Sequence, residues 1–323
     1  MPWAVGVRGV GVDTRDSTLY LSYGGDGDGA GNGSLAAYDL RQDRVLWQRS
    51  YGTGIDSFAV APNGRTIYLP TGELSTGNEW LVIDAQTGDR IGTIHGGRGP
   101  HNTVVSLDGA FAYLGGRTDD YLYVARTRDN RIVRRVGPLK QGIRPFTING
   151  RHTLAFTTAS YFLGFQMSDL TTGKVLYTVG VRGFHVAPSF PQSTPSHGIS
   201  LSPNERELYL VDAANSFVHV FDVHHGAKAR PKLVASIRLQ HPFTGNEDPC
   251  KYDCARDGWL QHDRSGRFVY VGDSGDVIDT RSRHVVGFLP ALRETRKMLE
   301  IDWRDGQVVA TTSRSGLGYV RGP

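Results

Sequence analysis

The chain of 323 residues is organised by one repeated pattern: a strand of alternating apolar residues, a polar turn and a second strand rich in aromatic and aliphatic residues. Self-similarity of this kind is the signature of repeat architectures, and each copy predicts a β-hairpin. Seven copies occur along the chain, and they read GVGVDTRDSTLYL, FAVAPNGRTIYL, TVVSLDGAFAYL, FTINGRHTLAF, GISLSPNERELYL, WLQHDRSGRFVYV and LEIDWRDGQVVAT.

A third strand that ends in Asp and a fourth strand beyond a short turn follow most of the hairpins. The clearest examples surround Asp84 and Asp279, weaker ones surround Asp39 and Asp222, and the third copy has Ala125 in place of the Asp. Four strands per repeat is the composition of a propeller blade. The sequence therefore predicts an all-β chain, with residues 1–323 forming a single seven-bladed β-propeller domain of four-stranded blades.

The last repeat is incomplete. Its first two strands are predicted within 297–312 and a third at GLGYVR, after which the chain ends at Pro323. The segment 3–7 precedes the first hairpin with nothing else to pair with. We expect this N-terminal segment to be the outer strand that closes the last blade, because such closure leaves no exposed sheet edge.

The repeat resembles the YVTN-repeat propellers, of the YncE-like and amine-dehydrogenase-heavy-chain-like kind, over essentially the whole chain. The resemblance implies the propeller fold. It does not choose an activity, because similar proteins include surface-layer and binding proteins as well as lactonase-like and lyase-like enzymes. No tryptophylquinone or haem motif is found in the sequence.

The distribution of charged residues favours some classes of binding partner over others. The formal net charge is +4, and the basic residues are scattered, which favours an anionic small molecule over nucleic acid. There is no apolar run of membrane-spanning length, and residues 1–5 lack the features of a signal peptide. We therefore expect a soluble protein with no membrane partner, either cytoplasmic or exported with its signal removed; a protein partner remains open.

Ionisable residues recur at the position just before the first strand of each repeat, which in a propeller lies at one mouth of the central channel. Aligning the seven hairpins places there Arg8, Asp56, His101, Arg144, His197, Gly258 and Lys297. Three cations facing one mouth would attract a carboxylate, phosphate or sulfate. Arg8, Arg144 and Lys297 are therefore the predicted anion-binding residues.

His101 and His197 are the predicted acid and base, with Asp56 beside them, because imidazole exchanges protons near neutral pH. Two alternatives stay open. In the first, the histidines serve only to hydrogen-bond the neighbouring backbone. In the second, a divalent metal such as zinc or manganese bridges His101, His197 and a carboxylate such as Asp56 or Asp257. No other cofactor is expected.

Long loops are predicted at the same mouth, at 24–34, 180–196 and 239–257. His185 in the second loop and Tyr252, Arg256 and Asp257 in the third are candidate ligand contacts, as part of a lid. In the first loop Asp26, Asp28 and Asn32 resemble part of a calcium loop, with a mobile glycine loop as the alternative. Cys250 and Cys254 are expected to take no part in the chemistry.

Two functions follow from these residues. The first is a lyase or hydrolase, similar to lactonases or to streptogramin or uronide lyases, that acts on a carboxylated small molecule with His101 or His197 moving a proton. The second is a binding or scaffold propeller that recognises a peptide, a glycan or a partner subunit without turnover.

Overall fold

The computed structural model describes residues 6–27, 31–140, 142–190, 192–247, 255–295 and 297–312. The chain divides into two compact units. The first consists of Met1–Val136 and Leu299–Ser315, and the second of Gly137–Met298 and Gly316–Pro323.

The first unit contains three four-stranded antiparallel sheets and one two-stranded sheet, and within each sheet the strands follow chain order. The strands of the four-stranded sheets are β1 Val7–Asp13, β2 Thr18–Gly24, β3 Gly33–Asp39, β4 Arg44–Ser50, β5 Ala59–Val60, β6 Thr66–Pro70, β7 Glu79–Asp84, β8 Arg90–His95, β9 Pro100–Val105, β10 Phe111–Gly116, β11 Leu122–Arg126 and β12 Arg131–Val136. The two-stranded sheet pairs β25 Ile301–Arg304 with β26 Gln307–Thr311.

The second unit contains three further four-stranded antiparallel sheets in chain order. Their strands are β13 Ile143–Ile148, β14 Leu154–Ala159, β15 Gly164–Asp169, β16 Lys174–Gly180, β17 Ile199–Leu201, β18 Glu207–Asp212, β19 Phe217–Asp222, β20 Lys232–Arg238, β21 Trp259–His262, β22 Phe268–Gly272, β23 Asp276–Asp279 and β24 His284–Phe288. Short 3-10 helices lie at Gly226–Lys228 and Pro290–Glu294.

In the residues that the structure describes, six four-stranded sheets and one further strand pair confirm the predicted class, an all-β seven-bladed β-propeller. Each sheet is one blade, and each predicted hairpin forms the first two strands of its blade. The predicted closing strand at 3–7 and its partner at GLGYVR fall outside the described residues, apart from the start of β1. No helix in the described part of the chain is both long and apolar enough to cross a membrane.

The Asp that ends the third strand has a local role. The side chains of Asp39, Asp84, Asp169 and Asp279 each accept hydrogen bonds from two backbone N–H groups of the turn that follows. An Asx turn of this kind satisfies backbone donors that no strand can pair, and so it directs the chain into the fourth strand.

The third blade departs from this pattern one residue later than the sequence alignment suggests. Arg126 pairs with Arg131 at the start of the turn, as Asp39 pairs with Arg44 in the first blade, so the substituted position is Arg126 and the prediction of Ala125 is wrong by one residue. The guanidinium of Arg126 pairs with Asp129, which supplies the turn with its carboxylate.

Tryptophans pack blades against one another within each unit. Trp47 Nε1 donates to the carbonyl oxygen of Ala85 at 3.1 Å, and Trp80 Nε1 donates to Thr103 Oγ1 at 2.9 Å, in both cases on the next blade. Trp259 is fully buried. These rings fill the space between face-to-face sheets, and the indole N–H groups of Trp47 and Trp80 are hydrogen-bonded.

Candidate functional site

The structure distributes the six ionisable positions of the predicted ring between the two units. Arg8, His101 and Arg144 lie within the first strands of their blades, whereas Asp56, His197 and Lys297 precede theirs. Arg8, Asp56 and His101 belong to the first unit, and Arg144, His197 and Lys297 belong to the second. Convergence of all six residues on one mouth stays a prediction, and each group is described below by itself.

A buried Asp–His pair forms the centre of the group in the first unit. His101 Nδ1 lies 2.7 Å from Asp56 Oδ2, and the two side chains are 4% and 1% exposed. The same nitrogen lies 3.7 Å from Glu73 Oε2. His101 Nε2 is buried and has no hydrogen-bond partner among the described residues. The imidazole is therefore held through one nitrogen by carboxylates.

Two guanidinium groups and a third carboxylate surround this pair. Arg117 Nη1 lies 3.1 Å from Glu73 Oε2, and Arg8 Nη2 lies 2.7 Å from Asp26 Oδ2. Asp26 Oδ1 also accepts a hydrogen bond from the backbone N–H of Glu73 at 2.9 Å. We call the six residues Arg8, Asp26, Asp56, Glu73, His101 and Arg117 the first-unit cluster.

If all three carboxylates were ionised and the imidazole neutral, the first-unit cluster would carry one excess negative charge, because three carboxylates face two guanidinium groups. Burial first, and then the charge of Asp56, raises the pKa of Asp26 to about 9, although the Arg8 guanidinium opposes this shift. The cluster is thus arranged so that one further positive charge, a proton or a cation, would stabilise it.

Asp56, Glu73 and His101 also have the arrangement of metal ligands. One oxygen or nitrogen from each lies within 4.8 Å of the others. Two ligands about 2.1 Å from one ion lie roughly 3.0–3.4 Å apart, for octahedral and tetrahedral angles respectively. The distances of 2.7 Å and 3.7 Å from His101 Nδ1 to the Asp56 and Glu73 carboxylates bracket this range.

Glu73 and Arg117 were missed by the sequence analysis, and a usable signal existed. Asp26, Glu73 and Arg117 all lie in the connections between the second and third strands of consecutive blades, just beyond the ends of β2, β6 and β10. These connections emerge at the same end of a blade as the start of its first strand. Aligning them, as the first strands were aligned, would have placed Glu73 and Arg117 beside His101.

The second unit has a comparable His–Asp contact. His197 Nδ1 lies 2.9 Å from the carbonyl oxygen of Gly258 and 3.4 Å from Asp257 Oδ1, and Asp257 Oδ2 accepts a hydrogen bond from Thr194 Oγ1 at 3.1 Å. The short contact to a carbonyl oxygen requires Nδ1 to carry its hydrogen. The backbone-bonding role that the sequence left open for the histidines is therefore present at His197.

Two cations lie on the same unit. Lys297 Nζ sits 3.8 Å from the centroid of the Trp259 ring, a cation–π contact, and the His197 ring centroid lies 5.0 Å from that of Trp259. Arg144 is buried and donates from Nε to Ser160 Oγ at 3.0 Å, and its other end contacts Ser193 Oγ. Both hydroxyl partners of Arg144 are neutral.

The predicted loop contacts are placed as follows. Arg256 donates to the carbonyl oxygens of Arg293 and Thr244 and pairs with Glu294, so its guanidinium ties loops together. The side chain of His185 is exposed, and its carbonyl oxygen accepts from Asn215. Tyr252, Cys250 and Cys254 fall outside the described residues.

The candidate calcium loop has a different arrangement from the predicted one. Asp26 directs its two oxygens to Arg8 and to the Glu73 N–H, as described above, and Asn32 is exposed and uses its backbone carbonyl to accept from Gly25 N. Asp28 lies outside the described residues. Asp26 is therefore a member of the first-unit cluster.

Comparison with known proteins adds information on the fold. No protein-family model and no curated protein matches the sequence. Among solved structures, the chain is similar to Kuenenia stuttgartiensis hydrazine synthase, with a TM-score of 0.64 and 16% sequence identity over 96% of this chain and 90% of that chain. Similarity at this level of identity supports the fold alone.

Proposed function

We propose that the protein binds a divalent cation through Asp56, Glu73 and His101 and, with its help, binds a carboxylated small molecule on which it acts as a lyase or hydrolase. The convergence of three ligand atoms within 4.8 Å carries this proposal. The residues come from three separate segments, which indicates that the tertiary fold has brought them together.

The donor set suggests which cations to test. One imidazole nitrogen and two carboxylate oxygens suit manganese or zinc. Three protein ligands leave at least one coordination position for water or a substrate, as in catalytic metal sites. Asp56 and His101 are buried and Glu73 is 13% exposed, so little water competes with the ligands.

A carboxylated substrate fits the charges around this position. A bound divalent cation would make the net charge of the first-unit cluster positive, since the raised pKa of Asp26 leaves two ionised carboxylates against two guanidinium groups at neutral pH. Arg8 and Arg117 lie beside Glu73 and would add to the positive field. Cations next to a substrate carboxylate stabilise the negative charge that develops when a neighbouring C–H or ester bond is broken.

Cation binding is the first test. Titration of the purified protein with Mn²⁺, followed by electron paramagnetic resonance and calorimetry, is expected to show one site. Glu73→Gln should weaken it by more than about 10–100-fold, the loss seen when only a residue that orients a ligand is removed. Glu79→Gln is the matched control, because it removes the same charge from the same blade at a side chain that is 36% exposed.

The substrate class is tested separately with glucuronate and glucose, with and without Mn²⁺. Glucuronate should bind only in the presence of the cation, and glucose in neither case. Absence of a Mn²⁺ or Zn²⁺ site in the wild-type protein, or equal losses in Glu73→Gln and Glu79→Gln, would contradict the proposal. If the protein binds the cation but glucuronate binding does not depend on it, the proposal of a carboxylated substrate is contradicted and the cation site is kept.

A further inference from the structure

A groove of ≈ 900 Å³ lies on the second unit, at the end of the strands opposite to His197 and Asp257. Its walls are the turns that join the first to the second and the third to the fourth strands of two neighbouring blades. The residues that line it include Asn149–Arg151, Asp169, Pro203–Arg206 and Val223–Lys228. A volume of this size lies within the range of about 300–1,000 Å³ typical of small-molecule sites.

Positive charge predominates along the groove. Arg151, Arg206 and Lys228 line it, and none of the three forms an ion pair with another residue in the described part of the chain. Their side chains belong to exposed residues of three different turns. Long cationic side chains that face a concave surface without a carboxylate partner are suited to bind anionic groups of a ligand.

The two acidic side chains in the groove are engaged by the backbone. Glu205 Oε1 accepts a hydrogen bond from Gly150 N at 2.6 Å, and Asp169 Oδ1 accepts from the N–H groups of Thr171 and Thr172 at 2.6 Å and 3.1 Å. These contacts hold the carboxylates against the turns. They leave the guanidinium and ammonium groups to face the groove.

Two histidines lie next to these cations in the lining of the groove. The rings of His224 and His225 lie 3.6 Å apart between centroids, and His224 pairs with Asp222. A second cavity of ≈ 370 Å³ shares Asn204, Arg206 and His224 with the groove and reaches Arg283, which pairs with Glu207. The groove therefore continues along the turns of consecutive blades.

We infer that this groove binds a small molecule that carries two or more phosphate or sulfate groups. Arg151, Arg206 and Lys228 form no ion pair within the described residues and lie on separate turns, so they suit a ligand with several anionic groups better than a ligand with a single one. Leu154, a half-buried apolar residue that lines the groove, offers a contact for the body of an organic ligand. The inference is independent of the candidate metal site, which involves other residues in the other unit.

Calorimetric titration of the full chain with tripolyphosphate and with sucrose octasulfate tests the inference. The two probes separate phosphate from sulfate recognition. Arg151→Ala, Arg206→Ala and Lys228→Ala should each weaken binding of at least one probe by about 10-fold or more, because a charge-assisted contact is worth at least that factor in affinity. All three residues lie on exposed turns, so the melting temperature should not change.

Arg182→Ala and Arg238→Ala are the charge-matched controls, since both are exposed residues of the same unit that do not line the groove. They should weaken binding by less than about 2-fold at roughly 0.15 M salt, where the Debye length is about 8 Å. The inference is overturned if neither probe binds, or if the controls lose as much affinity as the groove variants. Tight binding of an RNA oligomer with neither probe bound would also overturn it in favour of nucleic acid.

Discussion

Gly54→Ala is expected to destabilise the protein by about 3 kcal/mol, near the upper end of the range for overpacking, and to abolish binding of Mn²⁺ at the proposed site. A Cβ atom at Gly54 would lie 2.0 Å from the backbone nitrogen of Gly27 and 2.3 Å from the carbonyl carbon of Asp26. Both contacts are with backbone, so the loop that contains Asp26 must move away from the loop that leads to Asp56.

Urea unfolding and Mn²⁺ titration measure the two effects. Gly52→Ala is the matched control, because a Cβ atom at Gly52 meets nothing within 4 Å although the residue lies in the same loop. Equal stability of the two alanine variants would show that the close approach of the two loops is absent. Loss of stability with unchanged Mn²⁺ affinity would show that the cation does not depend on this loop contact.

One buried histidine should contribute a distinct component to the pH dependence of stability below neutrality. Burial lowers the pKa of His262 to about 3 from its ordinary value of 6.5. The unfolded chain therefore takes up a proton as the pH falls below about 6.5, whereas the folded chain does not until about pH 3. Between these values the free energy of unfolding should fall by about 1.4 kcal/mol per pH unit through this residue alone.

His262→Gln should remove this component, because glutamine does not titrate. His262 Nδ1 lies 2.8 Å from Ser200 Oγ, and a glutamine amide can keep a hydrogen bond to that hydroxyl. Between about pH 7 and pH 4 the variant should lose roughly 3 kcal/mol less than the wild-type protein, as measured by urea unfolding. His284→Gln, an exposed position of the same blade, is the control. Parallel pH profiles for wild type and His262→Gln would contradict the prediction.

The fold was predictable because its information is local. Each hairpin consists of two strands of alternating apolar residues joined by a polar turn. The pairing of β1 with β2, or of β17 with β18, therefore depends on residues that are close in sequence. The Asp that ends a third strand acts within two or three residues of itself, as Asp279 does with Arg281 and Ser282. The third blade was misaligned by one residue, at Ala125 instead of Arg126. There the third strand ends in no Asp, and the carboxylate of the turn comes from Asp129, three residues further along the chain.

The candidate site was predictable only in part. Asp56 and His101 were both singled out, and the structure joins them at 2.7 Å. Glu73 and Arg117 were not, because the connections between second and third strands differ in length and composition from blade to blade. Arg8, which the sequence predicted as an anion-binding residue, pairs with Asp26, which the sequence suggested as a calcium ligand.

The sequence by itself determined the number of blades, the order of strands within them and the positions from which charged side chains leave the first strands, since hydrophobic alternation and turn residues specify these locally. Only the tertiary structure decided which charges meet. The contacts of His101 with Asp56 and of Arg8 with Asp26 span 45 and 18 residues. Such contacts depend on how loops and sheets pack. Because burying an unpaired charge costs free energy, a folded structure that brings opposite charges together is favoured.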